Sequence, residues 1–535
     1  MNFKKAAALL LAGTLSLGLL LSGCGQDKGA ETPGQTEETQ KVNVNYGISN
    51  GWDSLMPYYT VSGSNYSRII YDKIYDRLAY IQPDGTCLPR GAEKWESADN
   101  GKAIVFTLDK DAAFHDGTKV TAQHWVETIQ RVTDPASQTL GRTTFAGLTG
   151  TDDTGTAVAG EKLGAEAVDD YTLKLTFDHP VIPEEFLVDK SRDLYVLPTH
   201  LLKDISAEEL VKADFWQKPV GSGPCKFVSE VSGSSLVLEA NKDYQLGAPG
   251  FDTMIITVMD KANLLTALIA GDLDYYTFGG TVSEENRPVA EQAGFTVSEG
   301  TVPNIFYELM LNNETISERA VRQAINMALD KELLCQQTTG TLGSVTNSSI
   351  LPDTPYSQPM TAGSYDPQGA INLLKDSGYQ GQTYTLACTS ARSSLAALIQ
   401  QNLEEAGIKT EIQTVDSSTL FSGFSDGKYD MAIASHTPNS LPLWFVSSRF
   451  NQDNNMFRVA DLKNYTTLIG AIGQETNEKA RIALVDELEA YLSQEMPFVP
   501  LWFGKALHVQ SKTVSGIDYA AASYCNENVW QWEKK

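Results

Sequence analysis

Cysteine is scarce and scattered. Cys24, Cys87, Cys225, Cys335, Cys388 and Cys525 are the only six among 535 residues, and no two lie close enough for a CxxC zinc or redox motif. Apart from Cys24 they read as small buried or half-buried residues, with one long-range disulfide left open. Histidine is equally sparse: His115, His124, His179, His200, His436 and His508 form no HExxH or other ligand spacing, so no metal is expected. Positive charge is in deficit. The 41 Lys and Arg against 67 Asp and Glu leave a formal net charge of -26, which opposes association with nucleic-acid phosphates. No nucleic-acid partner is expected. Gly221-Ser222-Gly223 lacks both the Gly-Lys-Ser/Thr of a phosphate-binding loop and the third glycine of a dinucleotide fingerprint, so it reads as a structural turn and no cofactor is expected. Beyond residue 41 there is no run of about 18 apolar residues, and no repeat of solenoid period occurs. With 42% hydrophobic and 20% charged residues, the chain is long enough for about three to four domain-sized units, each with a core.

The first forty residues carry an address. Lys4 and Lys5 precede the uncharged stretch 6–21, a basic n-region and a short apolar h-region that read as an export signal over 1–23. Leu21-Ser22-Gly23-Cys24 resembles a bacterial lipobox, in which the cysteine thiol accepts a diacylglyceryl group and becomes the mature N-terminus. Cys24 is then a lipid anchor, and the protein is expected outside the cytoplasm, tied to the cell membrane. Residues 25–41, GQDKGAETPGQTEETQK, hold nothing to bury, so 24–41 reads as a solvated tether.

From residue 42 onward the pattern is mixed α/β. Strand-like alternation at 42–48 feeds a loop and an apolar-periodic helix, and Thr121 reads as the N-cap of the helix AQHWVETIQRV. The stretch KFVSEVSGSSLVLEANKDY reads as a β-hairpin. After Gly300 a second unit opens, with a capping box at Thr315-Ile316-Ser317-Glu318 and a helix face of Val321, Ala324, Ile325 and Ala328. Gly407 follows another such helix as its C′ residue, before the strands IKTEIQTV and YDMAIAS. This order argues for sheets with covering helices.

Chemistry-bearing motifs are few. Gly423-Phe424-Ser425-Asp426-Gly427 matches G-x-S-x-G, but it follows a helix and precedes a strand, the reverse of a nucleophile elbow. Ser425 therefore reads as a loop residue, with an anchored serine hydrolase as a minor alternative. Trp52, Tyr58, Tyr59, Tyr66, Trp444, Phe445, Trp502 and Phe503 fall at loops or strand ends, where rings can line a cleft, although half of them are expected in the core. His436 stands at a strand end, where α/β sheets commonly place ligands.

Taken together these segments resemble the large solute-binding lipoproteins of the peptide/nickel ABC-importer family (family 5), whose best-known members bind dipeptides and oligopeptides. The most specific stretch is WESADNGKAIVFTLDKDAAFHDGTKVTA, starting at Trp95, supported in order by VGSGPCKF, NKDY, VRQAINMAL and PFVPL. The resemblance implies a two-lobed, periplasmic-binding-protein-like α/β fold (type II, cluster C) with an extra subdomain on the first lobe. The implied layout is lobe I over 42–75 and 216–300, the extra subdomain over 76–215, lobe II over 301–495, and a return to lobe I over 496–535. It also implies a non-enzymatic mechanism: the lobes close on a ligand and the closed form is read by an ABC permease, the protein acting as a monomer.

The same resemblance carries site residues. Val61-Ser62-Gly63 matches a first-lobe loop that lends backbone groups to the ligand, and Trp502 matches a ligand-facing aromatic. Phe424 and Ile433 occur where some oligopeptide binders place arginines, so the cleft is expected to be less polar. His436 stands where relatives often have tryptophan. Asn439 stands where an aspartate pairs with the peptide's α-ammonium, and an amide supplies no countercharge for that group. Aromatic or blocked ligands gain weight accordingly. Arg392, at the start of a helix, is a candidate anchor for a ligand carboxylate. The function expected is capture of peptides or peptide-like solutes for an ABC importer. Two other readings stand beside it: a binder of a nickel chelate, oligosaccharide or other non-peptide solute, and a receptor for one signalling peptide. Asn439→Asp is expected to tighten binding of peptides with a free amino terminus, measured by calorimetric titration; an unchanged Kd would remove the anchoring argument.

Overall fold

The computed structural model describes residues 41–59, 65–277, 282–357, 365–452, 454–522 and 527–535. The signal segment, Cys24, nearly all of the tether and the loop Val61-Ser62-Gly63 lie outside the described residues.

Two large sheets organise the body. In the first, Asn43–Ile48 runs parallel to Thr253–Val258 on one side and to Tyr275–Tyr276 on the other, and Ser235–Ala240 and Cys225–Val231 extend the sheet as the expected antiparallel hairpin. Alternation in Asn43–Ile48 sends Val44, Tyr46 and Ile48 into the core, as period-two patterning requires. A separate four-stranded antiparallel sheet, Ala92–Ala98, Ala103–Leu108, Thr172–Thr176 and Ala165–Asp169, builds the extra subdomain with the helix Ala122–Thr133. Thr121 does cap that helix. The His124 ring closes the box, accepting the Thr121 backbone N–H at 3.2 Å.

The second sheet has six strands in the order Gly343–Val345, Phe498–Gly504, Ile305–Leu311, Met431–His436, Thr383–Cys388 and Lys409–Thr414. Helices cover both faces. Leu309, Leu311, Ile433 and Leu501 pack one apolar cluster, and Phe306, Met310, Ala432 and Phe498 pack the other. The helix Arg319–Ala328 buries Val321, Ala324, Ile325 and Ala328 as its spacing predicts, but the expected capping box is not formed: Glu318 is the N-cap and gives no side-chain bond, while Thr315 turns its hydroxyl to the Asn312 carbonyl at 3.4 Å. Gly407 has φ +86°, the left-handed conformation of a C′ residue.

The chain passes between the sheets twice. Val297–Glu299 precedes Ile305–Leu311, Leu507–Val509 follows Phe498–Gly504, and the two short strands pair antiparallel with each other. The return therefore differs from expectation. The PFVPL strand, expected in lobe I from residue 496, pairs along Ile305–Leu311 inside the second sheet, and the chain leaves that sheet only after Gly504. Its apolar residues on both faces, all buried, fit an interior strand.

Beyond the second passage, the C-terminal segment locks onto the first lobe through buried charge. Asp72 pairs with Arg77 and Arg90, Arg90 also reaches Asp76 at 2.5 Å, and Lys73 pairs with Glu527. Tyr46 donates its hydroxyl to Glu527 at 2.8 Å, and the Glu527 backbone N–H donates to Asp72 at 2.7 Å. Burial alone would raise the Asp72 carboxyl, but Arg77, Arg90 and Lys73 together hold it below its ordinary value; burial wins at Glu527 and raises it, with Lys73 opposing. A network of this kind adds little net stability when complete, yet losing one partner strands a buried charge at a cost of about 3–5 kcal/mol.

The glycine turn at 221–223 is structural, as read. A Cβ on Gly221 would lie 1.9 Å from the Ile74 carbonyl oxygen. His115 holds this turn: its Nδ1 accepts the Gly221 N–H at 3.2 Å, and its Nε2 faces the Gly223 carbonyl at 3.0 Å. Only the neutral ring can make both bonds, and burial pushes the imidazole from its ordinary 6.5 down to about 4. The folded state thus binds fewer protons than the unfolded one between these values, so the His115 contribution is complete above pH 6.5 and is lost as pH falls toward 4, by up to about 3 kcal/mol. Urea unfolding of wild type and His115→Gln across this window is expected to show a steeper acid loss in wild type.

Candidate functional site

The paired passages border a cavity of about 540 Å³. Its walls come from both lobes: Tyr275, Tyr276 and Thr277 end the edge strand of the first sheet, Ile305 and Tyr307 begin the central strand of the second, and 336–342 and Thr437 close one side. Lys505, Ala506, Leu507, His508 and Val509 run past it on the second passage. The position follows from topology, since strand ends and lobe junctions are where backbone direction changes and side chains from several elements converge.

Four tyrosines dominate the lining. Tyr307 is stacked on Trp502 at 4.9 Å between centroids, with the Arg392 guanidinium 5.7 Å above its ring. Burial raises its phenol above the ordinary value, partly opposed by Arg392. Tyr275 packs against Trp532 at 5.1 Å and Tyr519 at 5.9 Å. Burial raises the phenols of Tyr276 and Tyr519 as well, so all three stay protonated and able to donate. His508 is pushed by burial to about 4 and is neutral near pH 7. Glu284 is engaged, with Arg287 at 3.5 Å and the Thr341 hydroxyl at 3.4 Å.

A smaller crevice of about 120 Å³ lies between residues 437–440 and the first-lobe segments 81–85 and 188–192; Thr437 borders both spaces. The lobes come close here. A Cβ on Gly85 would stand 2.2 Å from the Ser440 hydroxyl oxygen. Farther out, Glu185 of the extra subdomain pairs with Arg481 of the second lobe and accepts the Tyr356 hydroxyl at 2.8 Å. Burial raises the Glu185 carboxyl against the pull of Arg481.

The residues expected to form the site are only partly gathered. Phe424 and Ile433 are fully buried, each in one of the two clusters flanking the second sheet; they are core, not cleft, because both lie where regular helix and strand periodicity turns them inward. Trp502 is also fully buried. A register shift against Tyr307 and Glu308 pairs Tyr307 with Trp502 but Glu308 with Pro500, and the extra residue turns the indole to the underside, where its N–H donates to the Thr339 hydroxyl at 2.8 Å. Trp502 backs the lining through Tyr307. His436 does not stand open to a ligand: it lies 2.7 Å from buried Glu308 and is edged by Phe445 at 5.7 Å. Arg392 bonds Ser435 and, at 3.3 Å, Thr389, so it supports Tyr307 from behind. Asn439 lines the smaller crevice, its side-chain oxygen accepting the Leu441 N–H at 2.9 Å. Ser425 ends the helix Ser417–Ser425, which precedes the strand Met431–His436, so no elbow forms.

Lys505, Thr437 and the tyrosines 275, 276, 307 and 519 were not among the expected residues. Tyr275-Tyr276 at the end of a strand was a readable signal; the placement of Lys505 was not, since it depends on where the second passage begins.

Residues 87–458 match the model of the bacterial extracellular solute-binding proteins, family 5 Middle. The chain is 25% identical over 518 residues to the periplasmic murein peptide-binding protein MppA of Escherichia coli (strain K12), covering 90% of this chain and 92% of that protein. It is 24% identical over 495 residues to the oligopeptide-binding protein AppA of Bacillus subtilis (strain 168), covering 86% and 85%. Among solved structures, the ABC transporter substrate-binding protein CtaP of Listeria monocytogenes superposes with a TM-score of 0.80 at 20% identity, over 92% of this chain and 100% of that one. The two-lobed fold is thereby shown.

If Trp502 is a buried support, Trp502→Ala lowers the unfolding free energy by about 3–5 kcal/mol, measured by urea titration without ligand. A ligand-facing indole would leave that stability nearly unchanged.

Proposed function

The chain belongs to the bacterial extracellular solute-binding proteins of family 5, and from that premise we propose that it captures peptides or peptide-like solutes between its two lobes and delivers them to the permease of an ABC importer. The observation that carries this reading is the cavity of about 540 Å³ walled by both lobes at their double passage. That volume lies within the range of about 300–1,000 Å³ usual for small-ligand sites. Its lining of tyrosines and Ile305 with Thr437, Gln336 and Asn304 offers apolar surface to side chains and donors and acceptors to amide groups, the mix that a peptide ligand requires. The relatives' names, a murein peptide binder and an oligopeptide binder, agree with this chemistry.

Binding in such a site is an equilibrium between open and closed lobes. A ligand touching both walls stabilises the closed arrangement by its differential affinity, and contacts such as Glu185 with Arg481 form only when the lobes are together. A micromolar Kd corresponds to about 8 kcal/mol. No catalytic step is part of this reading: Ser425 sits at an exposed helix end, its carbonyl accepting from Arg458 at 3.0 Å. We place the protein outside the cytoplasm, held to the cell membrane through a lipid on Cys24 and working as a monomer; the export segment and the Leu-Ser-Gly-Cys motif support the anchor.

Native mass spectrometry of gently purified protein beginning after Cys24, compared with its denatured mass, is expected to reveal a ladder of peptide-mass adducts. A single non-peptide adduct would overturn the peptide reading in favour of another solute.

A further inference from the structure

The charges around the cavity are unevenly matched. Glu284 is engaged by Arg287 and Thr341, Arg392 by Ser435 and Thr389, and His508 is neutral. Asn439, in the adjoining smaller crevice, carries no charge, and its oxygen already accepts the Leu441 N–H. Lys505 is different. It lines the cavity and is half-buried, and its ammonium has no ion-pair or hydrogen-bond partner among the described residues.

We propose that Lys505 selects the charged end of the ligand: the cavity takes a solute that presents a carboxylate to Lys505 and carries no free ammonium, such as an N-acylated peptide with aromatic or apolar side chains. This rests on the reading of the cavity as a peptide site. A carboxylate placed here gains a charge-assisted bond in a partly desolvated setting. A ligand ammonium finds no unengaged carboxylate among the described lining residues and meets the field of Lys505, so its desolvation goes uncompensated. The tyrosine-rich lining, with Val282, Ile305 and Leu342, suits aromatic and apolar groups.

The lysine also has a mechanical position. Its backbone N–H donates to the Leu342 carbonyl at 3.0 Å, and the next residue, Ala506, accepts the Gly300 N–H of the other passage at 2.8 Å. A ligand held by Lys505 is thus held at the junction of the two lobes. The contact that reads its charge is also one that ties it to the closed arrangement.

The test uses tripeptide to pentapeptide pools in four terminal forms: free at both ends, N-acetylated, C-amidated, and blocked at both ends. Each is titrated calorimetrically against the mature chain, Lys505→Met and Lys505→Arg, with 3-phenylpropionate as a carboxylate lacking any peptide bond. The N-acetylated free acids are expected to bind tightest, at least about tenfold over the doubly blocked forms. Lys505→Met should erase that ratio and Lys505→Arg should retain it. Unliganded unfolding midpoints of both variants should match wild type, because the Lys505 ammonium has no partner among the described residues. Amidation without effect, or preference for free amino termini, would overturn the role of Lys505 while peptide capture stands. Binding of 3-phenylpropionate alone, abolished by Lys505→Met, would overturn the peptide reading and keep the lysine's pairing. Absence of binding by every probe would overturn both.

Discussion

Everything that makes this fold a binding device depends on the antiparallel pairing of two short strands, Val297–Glu299 with Leu507–Val509. The chain must pass from the first sheet to the second and back, and backbone groups in both passages need partners. Pairing them with each other satisfies that need and brings the passages side by side. The cavity follows, because the ends of Tyr275–Tyr276 and Ile305–Leu311 then face a common space walled by the second passage.

Both lobes are held by apolar packing, and in the first buried charge is added to it. The second lobe is held by apolar clusters on both faces of one sheet, which accounts for the burial of Phe424, Ile433 and Trp502. The first lobe joins distant parts of the chain through an apolar core that takes in Val529 and Trp532 and through buried polar contacts: Lys73 pairs with Glu527 and Asp72 accepts its backbone N–H, some 450 residues away in sequence. Such pairs contribute little net energy but tolerate no missing member, and they fix where the C-terminal segment lies. Tyr519, on that segment, thereby reaches the cavity. Two polar groups behind the cavity wall are already engaged, His436 by Glu308 and Arg392 by Ser435.

Much of the secondary structure was readable because it follows from local periodicity. The N-cap Thr121, the hairpin of Cys225–Val231 and Ser235–Ala240, the apolar face of Arg319–Ala328 and the glycine at 407 all lie where side-chain pattern and backbone preference agree. The capping box at 315–318 failed because Thr315 found a nearer acceptor in the Asn312 carbonyl. Trp502 is buried, not ligand-facing as expected, because a register shift reverses a side chain's face, and nothing in the sequence PFVPLW marks where the extra residue falls.

The sequence by itself determined the class of molecule: an exported, acidic, mixed α/β chain whose motif order matches a solute-binding family, since composition, signal and local periodicity are written in consecutive residues. Which side chains line the cavity was decided only by the tertiary structure. Tyr276, Tyr307, Thr437 and Lys505 are far apart in the chain and unremarkable in their local sequence. They converge because two passages pair and one bulge turns an indole under a tyrosine, and those are long-range consequences of packing that no local window contains.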